Sequence, residues 1–401
     1  MKQNLDIHNY DKKLVKALEK LDRVKISEHN KTKIKDFVNF NKINGMSKPR
    51  LERYIGILKD WALLFNKNFE DVSKQDAISA TSELHERDYK EWTKATYKIM
   101  LKCFYKWLFD TEEYPECVKW IKTNVDRSKL ERPSPDDLIT EEEVLKIINL
   151  VEFPRDKAFI SLLYESGARV GEIGSLQIKN ISFDEYGAIV DVNGKTGNRS
   201  VRVVSSVPFL SAWVNAHPLK DDLNSPLWVN MGNVGTKRMM KYSGFISILR
   251  RAFQRAGIKK KYNPHFFRHS RASYLANHLT EFQMNQYFGW VQGSNMPATY
   301  IHMNGRKIED SILALNGIEK AKRNEKSTLK PQRCIRCELL NSSDAKFCSK
   351  CGHVLNTKVA QEIDNVKEQR VSSDEMMSII LKDKNISSMI VQKIKEMGLN
   401  C

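Results

Sequence analysis

Residues 10 to 109 repeat apolar side chains at the three- and four-residue spacing of amphipathic helices. In one segment the repeat consists of Tyr54, Ile57, Leu58, Trp61 and Phe65, and lysines are scattered over the opposite faces. Helices are predicted over residues 10–24, 30–44, 48–65, 74–85 and 94–109. Together they predict a small, basic helical bundle over residues 1–125.

The helical pattern is interrupted at residues 126–135, which are charged, contain two prolines and offer little to bury. We interpret this segment as an interdomain linker. Thr140 and Glu143 then form a capping-box pattern, in which each side chain accepts a hydrogen bond from the backbone N–H of the other at a helix start. A second domain is therefore predicted over residues 136–320.

The second domain contains two β-rich runs, at residues 188–192 and 200–204, which the turn-rich segment 193–199 connects. Helices resume at residues 205–216, 243–256 and 265–278. The predicted fold class is mainly α with a small β-sheet (α+β). Residues 357–401 form a C-terminal helical tail in which several apolar residues share one face before Gly398. They are Ile386, Ile390, Ile394 and Met397.

The formal net charge of the chain is +17 and its pI is about 9.4. Such an excess favours a polyanionic partner, with DNA or RNA as the first expectation and an anionic membrane surface as the alternative. The sequence has no run of about 18 apolar residues, which a spanning helix would need. Its polar N-terminus lacks the apolar core of a signal peptide. We expect a cytoplasmic, nucleoid-associated protein.

Four of the seven cysteines form two Cys-x-x-Cys pairs separated by ten residues. They are Cys334, Cys337, Cys348 and Cys351. In a cytoplasmic chain such pairs indicate metal binding rather than disulfides, and four thiolates complete the tetrahedral shell of a structural zinc ion. The segment 333–355 resembles a zinc ribbon and predicts one bound zinc. Its basic surroundings leave both DNA and protein open as contacts.

Candidate phosphate-binding residues occur in the second domain. Arg169 follows an apolar helix that ends at Gly167, and Glu172 comes three residues later. A buried arginine held by a carboxylate at a helix start can clamp a phosphate through two hydrogen bonds; a surface salt bridge is the alternative. His265 and Arg268 share a face of a predicted helix because they are three residues apart.

Two aromatic residues complete the candidate set. The indole N–H of Trp290 is a donor suited to a non-bridging phosphate oxygen. Tyr300 follows a proline-containing turn, which could present it at the start of an element. Phosphate-binding cations together with a tyrosine indicate an enzyme that cuts a nucleic-acid backbone by attaching itself to it. A tyrosine that only packs is the alternative.

In this order the three segments resemble the tyrosine recombinase (phage integrase) family. The resemblance covers residues 136–310, and more weakly the helical bundle, which is similar to the family's SAM-like core-binding domain. The Ser-Gly-Ala-Arg-Val-Gly-Glu segment resembles the surroundings of the family's first arginine, and His-Phe-Phe-Arg resembles its His-x-x-Arg pair. Trp290 stands where the family usually has histidine, and the segment after it resembles archaeal integrases.

The resemblance implies a set of catalytic residues, of which Lys195 is similar to the family's hairpin lysine, although Arg199 and Arg202 are nearby. The implied set is Arg169, Lys195, His265, Arg268, Trp290 and the nucleophile Tyr300, supported by Glu172 and by His269, which we expect to be a structural histidine. It implies DNA cleavage through a 3′-phosphotyrosyl intermediate and strand exchange through a Holliday junction. Neither ATP nor a catalytic metal is implied.

The implied partner is double-stranded DNA carrying attachment sites, on which the family's recombining unit is a tetramer. We expect the integrase of a mobile element, clamping DNA with residues 1–125 and 136–320. The alternatives are a chromosome-dimer resolvase, a type IB topoisomerase and a non-catalytic DNA-binding regulator. The complete set of catalytic residues disfavours the regulator.

Overall fold

A computed structural model describes residues 5–125, 135–194, 197–232, 237–294, 296–304, 316–317 and 327–397. The chain divides into two compact units. The first unit comprises Met1–Asp137 with the segment Met239–Phe245, and the second comprises Leu138–Arg238 and Ile246–Cys401. The predicted linker at 126–135 stays a prediction, because all but its last residue lies outside the described residues.

The first unit is a helical bundle. Its helices are α1 (Tyr10–Arg23), α2 (Glu28–Ile43), α3 (Lys48–Phe65), α4 (Lys74–Glu86), α5 (Glu91–Leu108) and the short α6 (Glu116–Lys119). The prediction is confirmed at both ends of α3 and within three residues for the other long helices. Trp61 is fully buried, and its indole N–H donates to the Tyr97 carbonyl at 3.1 Å. The apolar faces therefore pack into one core, as the spacing predicted.

The second unit is built around a buried helix. Its first elements are α7 (Glu141–Leu150), α8 (Pro154–Ser166), α9 (Val170–Gly174), β1 (Ile181–Asp184), β2 (Gly187–Gly194), β3 (Gly197–Val203) and α10 (Val207–Asn215). The predicted capping box is confirmed: the Glu143 N–H donates to Thr140 Oγ1 at 3.2 Å, and the Thr140 N–H donates to Glu143 Oε2 at 3.0 Å. Helix α8 is buried on all sides and contacts α7, α10 and β3.

The sheet of the second unit has the antiparallel order β1-β2-β3. The predicted pair of runs corresponds to β2 and β3, whose register closes at Gly194 opposite Gly197. Strand β1 was not predicted, because its apolar and polar residues alternate over only four positions, three of which are exposed. The described tip of the sheet is therefore the pair Gly194 and Gly197, and residues 195 and 196 lie outside the described residues.

The remaining helices among the described residues are α11 (Tyr242–Ala256), α12 (Pro264–Leu275), α13 (Glu281–Phe288), α14 (Met296–Asn304), α15 (Thr357–Lys382) and α16 (Lys384–Glu396). Between α14 and α15 lies the cysteine segment, with the two-stranded hairpin β4 (Gln332–Arg333) and β5 (Leu340–Asn341). Helix α16 lies within the predicted tail and confirms that this part of it is helical. Ile386, a member of the predicted apolar face, is exposed. No helix in the described part of the chain is long and apolar enough to cross a membrane.

Candidate active site

The way in which α8 ends determines the position of Arg169. Gly167 ends that helix in the left-handed region at φ 54°, and a Cβ added there would lie 2.5 Å from the Phe288 ring. Arg169 then becomes the N-cap of α9. Its backbone N–H donates to Glu172 Oε2 at 2.9 Å, and its Nη1 donates to Glu172 Oε1 at 3.0 Å. The predicted pairing of Arg169 with Glu172 is confirmed.

The prediction that Arg169 is buried is wrong in degree. Its side chain is 34% exposed, whereas that of Glu172 is 3% exposed. An N-cap lies at the end of a helix, where the side chain can extend from the core. The carboxylate is therefore the buried anchor, and the guanidinium keeps a face open to an incoming anion.

Glu172 has a second guanidinium partner that the sequence did not predict. Arg199 on β3 donates from Nη1 to Oε1 at 3.0 Å and from Nη2 to Oε2 at 2.8 Å, and its Nε donates to the Tyr287 carbonyl at 3.0 Å. Burial raises the pKa of Glu172, but the hydrogen bond and charge of Arg199, followed by those of Arg169, outweigh it, so the pKa is lowered. Glu172 is therefore ionised at neutral pH.

The tip of the sheet approaches this carboxylate closely. A Cβ on Gly194 would lie 2.1 Å from Glu172 Oε1. Glycine is required here because any side chain would displace the carboxylate. Lys195, the next residue, lies outside the described residues, so its predicted role stays a prediction.

Arg268 is anchored inside the site by α12. Its Nη1 donates to the Gly167 carbonyl at 2.9 Å and its Nη2 donates to the Phe288 carbonyl at 2.7 Å. Its guanidinium also lies 5.1 Å from the Phe288 ring centroid and 5.4 Å from that of Trp290. Burial and then the positive charge of Arg169 lower the pKa of Arg268 to about 10, so it remains a cation at neutral pH.

His265 lies in the first turn of the same helix. Asn263 caps this helix by accepting from the His265 N–H at 2.9 Å, and Pro264 occupies the first helical position. Loss of solvation lowers the pKa of His265, and the charges of Arg268 and Arg169 lower it further. His265 is exposed and, at neutral pH, largely uncharged.

Tyr300 is enclosed by aromatic and histidine side chains. It is 2% exposed, and its ring stacks on Trp290 with centroids 5.6 Å apart and an interplanar angle of 4°. Its hydroxyl lies 2.6 Å from Nδ1 of His269. Burial raises the pKa of Tyr300 to about 12, although the Arg268 charge opposes this shift. Trp290 is buried as the stacking partner, and its predicted phosphate bond stays a prediction.

The predicted residues that the structure describes, which are all except Lys195, lie in one connected site within the second unit. One part is the carboxylate cluster of Arg169, Glu172 and Arg199. The other is the set of Arg268, Trp290, Tyr300 and His269, which α12, α13 and α14 bring together. The Arg169 charge lowers the pKa of both Arg268 and His265, so the two parts of the site interact electrostatically.

The four cysteines form a separate cluster. Their Sγ atoms all lie within 4.8 Å of one another, with Cys334 and Cys351 3.6 Å apart and Cys337 and Cys348 3.5 Å apart. A tetrahedral zinc ion with Zn–S bonds of about 2.3 Å needs sulfurs about 3.8 Å apart. Hydrogen bonds from the backbone of Cys351 and Lys350 help to lower the pKa of Cys348 to about 6. The donor set therefore fits zinc.

The ribbon and the residues just before it make contacts within the second unit. The Thr328 N–H donates to Glu141 Oε2 at 3.0 Å, at the start of α7. Arg333 donates to the Glu185 carbonyl at 2.6 Å, in the turn between β1 and β2. Leu329 is buried beside Val144. The segment that begins the ribbon is thus anchored to the rest of the unit by polar and apolar contacts.

The chain is similar in sequence to known tyrosine recombinases. Residues 137–306 match the model of the phage integrase family. The chain is 22% identical over 288 residues to the tyrosine recombinase XerA of Pyrococcus furiosus, covering 71% of this chain and 94% of that protein. It is 25% identical over 279 residues to a tyrosine recombinase of Thermosipho africanus, covering 67% of this chain and 94% of that protein.

A solved structure shares the fold. It is that of the XerH site-specific recombinase bound to palindromic difH substrate in a post-cleavage complex. The TM-score is 0.55 at 16% identity, and the likeness covers 79% of this chain and 98% of that one. At this identity the similarity establishes the fold, and it confirms the predicted mainly α architecture with a small sheet.

Proposed function

We propose that this DNA breaking-rejoining enzyme is the integrase of a mobile element. Its residues 137–306 match the phage integrase family. It would cut and rejoin double-stranded DNA at attachment sites through a covalent link between Tyr300 and a 3′ phosphate. The observation that carries the proposed covalent cleavage is the position of Tyr300. Its ring stacks on Trp290, over which the buried cation Arg268 also lies.

The proposed roles follow from the chemistry of each side chain. Arg169 and Arg268 would bind the non-bridging oxygens of the scissile phosphate and stabilise the charge that develops as the tyrosine attacks. His265 is exposed and close to both arginines, and it would donate a hydrogen bond to the same phosphate. Trp290 would add its indole N–H. Lys195 would protonate the departing 5′ oxygen.

Cationic residues matter because tyrosine is a weak nucleophile at neutral pH. Its unperturbed pKa is near 10, and burial raises that of Tyr300 further. A bound phosphate and nearby guanidinium groups would favour the phenolate and the five-coordinate phosphorus. The energy of the broken phosphodiester would be kept in the phosphotyrosyl link. The reaction therefore needs neither ATP nor a metal ion as charge stabiliser.

Covalent capture tests the proposed nucleophile. DNA that becomes linked to the purified protein would be sequenced to locate the attachment site, and a nicked substrate of that sequence would trap the adduct. We expect Tyr300→Phe to bind this substrate normally and to form no adduct. Tyr186→Phe is the matched control, since Tyr186 is exposed in the turn between β1 and β2. Adduct formation by Tyr300→Phe would refute the assignment.

The recombination proposal requires a second assay. Two DNA molecules, each with one attachment site, should be converted into recombinant products, and strand exchange should accumulate a four-way junction. Four copies of the chain would assemble on the paired sites. Relaxation of supercoiled DNA without recombinant products would instead support topoisomerase-like activity.

The cysteine cluster is proposed to hold one structural zinc ion. Cys334, Cys337, Cys348 and Cys351 would close the tetrahedral shell, so that the ion orders the ribbon without taking part in strand cleavage. Metal analysis of freshly purified protein should find one zinc per chain. A variant with Cys348→Ser and Cys351→Ser should lose it, and finding no zinc in the parent protein would refute the site.

The C-terminal helices are proposed to take part in assembly on DNA. Exposed apolar side chains occur along α15 and α16, including Met376, Ile379 and Met389. A chain truncated after Leu355 should bind one site normally and assemble less well on paired sites, as measured by native electrophoresis. Unchanged assembly would exclude this role.

A further inference from the structure

Helix α12 carries a second histidine that touches the proposed nucleophile directly. The distance between His269 Nδ1 and the Tyr300 hydroxyl oxygen is 2.6 Å. The two ring centroids are 5.7 Å apart, with an interplanar angle of 36°. His265, one helical turn earlier, is exposed. The helix therefore presents one histidine to the open side of the site and a less exposed one to the tyrosine hydroxyl.

We propose that His269 is a catalytic residue that accepts the phenolic proton of Tyr300 during DNA cleavage. This inference rests on the proposed function, in which Tyr300 attacks the scissile phosphate. It gives the two histidines of the helix different tasks. His265 binds the phosphate, and His269 acts as the base for the nucleophile.

The proposed step is balanced as follows. The O–H bond of Tyr300 breaks, its proton moves to Nδ1 of His269, and its electron pair forms the new O–P bond. The P–O5′ bond breaks, and the 5′ oxygen takes a proton from a separate donor, for which Lys195 is the proposed residue. On rejoining, the 5′ hydroxyl attacks phosphorus and gives its proton back to the separate donor. The bond between phosphorus and the tyrosine oxygen breaks, and His269 returns its proton to that oxygen.

The surroundings of His269 favour the required starting state. A hydroxyl can donate to Nδ1 only when that nitrogen is unprotonated, so the neutral ring would carry its hydrogen on Nε2. Burial lowers the pKa of His269, and repulsion from His265, when that ring is protonated, and from the Arg268 cation lowers it further. At neutral pH the ring is therefore ready to accept a proton.

The enclosure of the tyrosine explains why a protein base is needed. Tyr300 is 2% exposed and stacked on Trp290, so bulk water has little access to its hydroxyl. His269 already makes the hydrogen bond along which the proton would move. A general base within hydrogen-bond reach typically contributes about 100-fold or more to a rate. The nearby Arg268 cation would stabilise the phenolate that results.

A purely structural hydrogen bond is the competing explanation, and His269→Asn separates the two. The Asn Oδ1 atom can occupy the place of Nδ1 and accept the same hydrogen bond, but an amide does not take up a proton at neutral pH. His269→Ala removes both capacities and leaves space for added imidazole. His278→Asn is the matched control, since His278 is exposed just beyond the same helix.

The experiment measures the rate of adduct formation on the nicked attachment-site substrate at saturating protein. DNA binding and thermal melting are measured for each variant. We expect His269→Asn and His269→Ala to cleave about 100-fold or more slowly than the parent protein, with DNA affinity changed less than about twofold. Added imidazole should restore cleavage by His269→Ala at least about tenfold, as an external base replaces the missing ring. His278→Asn should cleave at the parent rate.

Two outcomes would overturn the proposal while leaving the proposed function intact. The first is parent-like cleavage by His269→Asn, which would make the contact a positioning hydrogen bond only. The second is slow cleavage by folded His269→Ala that imidazole does not improve. If the parent protein and His278→Asn formed no adduct on any DNA, the proposed function itself would fail, and the role of His269 with it.

Discussion

The guanidinium of Arg199 holds the carboxylate of Glu172 through two hydrogen bonds, of 3.0 and 2.8 Å. The same carboxylate binds the backbone and side chain of Arg169. Glu172 is therefore shared between a strand of the sheet and the arginine proposed to bind phosphate. This arrangement makes Arg199 a positioning residue for Arg169.

Replacing Arg199 should damage both stability and cleavage. Arg199→Met leaves the buried Glu172 carboxylate with one guanidinium partner, and breaking a buried pair costs roughly 3 kcal/mol of unfolding free energy. Arg202→Met is the matched control. Arg202 lies on the exposed face of the same strand, β3, and pairs with Asp184 of β1. An exposed pair of this kind contributes little to stability, so Arg202→Met should unfold at nearly the parent urea concentration. Urea unfolding measures both variants.

Cleavage distinguishes positioning from general destabilisation. Adding Glu172→Gln to Arg199→Met removes the buried charge and should recover part of the stability. Adduct formation should stay slow, since Arg169 loses its anchor. Recovery of both stability and cleavage in the double variant would contradict the positioning role.

Gly194 should be intolerant of even one methyl group. A Cβ there would lie 2.1 Å from Glu172 Oε1, so Gly194→Ala should push the carboxylate away from its two arginines. We expect cleavage to fall about tenfold or more, because a small misplacement of a catalytic group is costly. Gly197→Ala changes the facing glycine, which has no neighbouring atom within 4 Å but has φ +102°. That variant should lose some stability and retain more activity than Gly194→Ala.

Much of the site could be predicted from local signals. Gly167, the N-cap position of Arg169 and the Thr140 capping box depend on residues within a few positions of each other, so a single sequence displays them. The contact of Arg199 with Glu172 spans 27 residues and that of His269 with Tyr300 spans 31. Such pairs depend on how α9 packs against the sheet and how α12 packs against α14. One signal was present for Arg199, which shares the buried face of β3 with Val201 and Val203.

Stability should decrease on mild acidification. The pKa values of His217, His265 and His269 are each lowered from 6.5, with burial as the largest cause. Below that pH the unfolded chain binds more protons than the folded one, so the free energy of unfolding falls until the folded pKa values are passed. Urea unfolding at about pH 7.5 and about pH 5.5 measures this. Equal or greater stability at the lower pH would contradict it.

Zinc removal should affect the ribbon and spare the core of the second unit. Chelation is expected to unfold about residues 333–355, since the strands of the ribbon are only two residues long and the metal shell would hold its two cysteine pairs together. Hydrogen exchange should then speed up in this segment and stay slow in α8, which is buried on all sides. Faster exchange in α8 would show that zinc also stabilises the catalytic fold.

The central claim is that Tyr300 becomes covalently joined to DNA. The direct measurement is mass spectrometric mapping of the nucleotide-linked peptide after nuclease digestion of the adduct. Trypsin should release the linked peptide 272–306, which also contains Tyr274 and Tyr287. Fragmentation should place the nucleotide on Tyr300 through its phenolic oxygen. A nucleotide on Tyr274, Tyr287 or any residue outside this peptide would contradict the account.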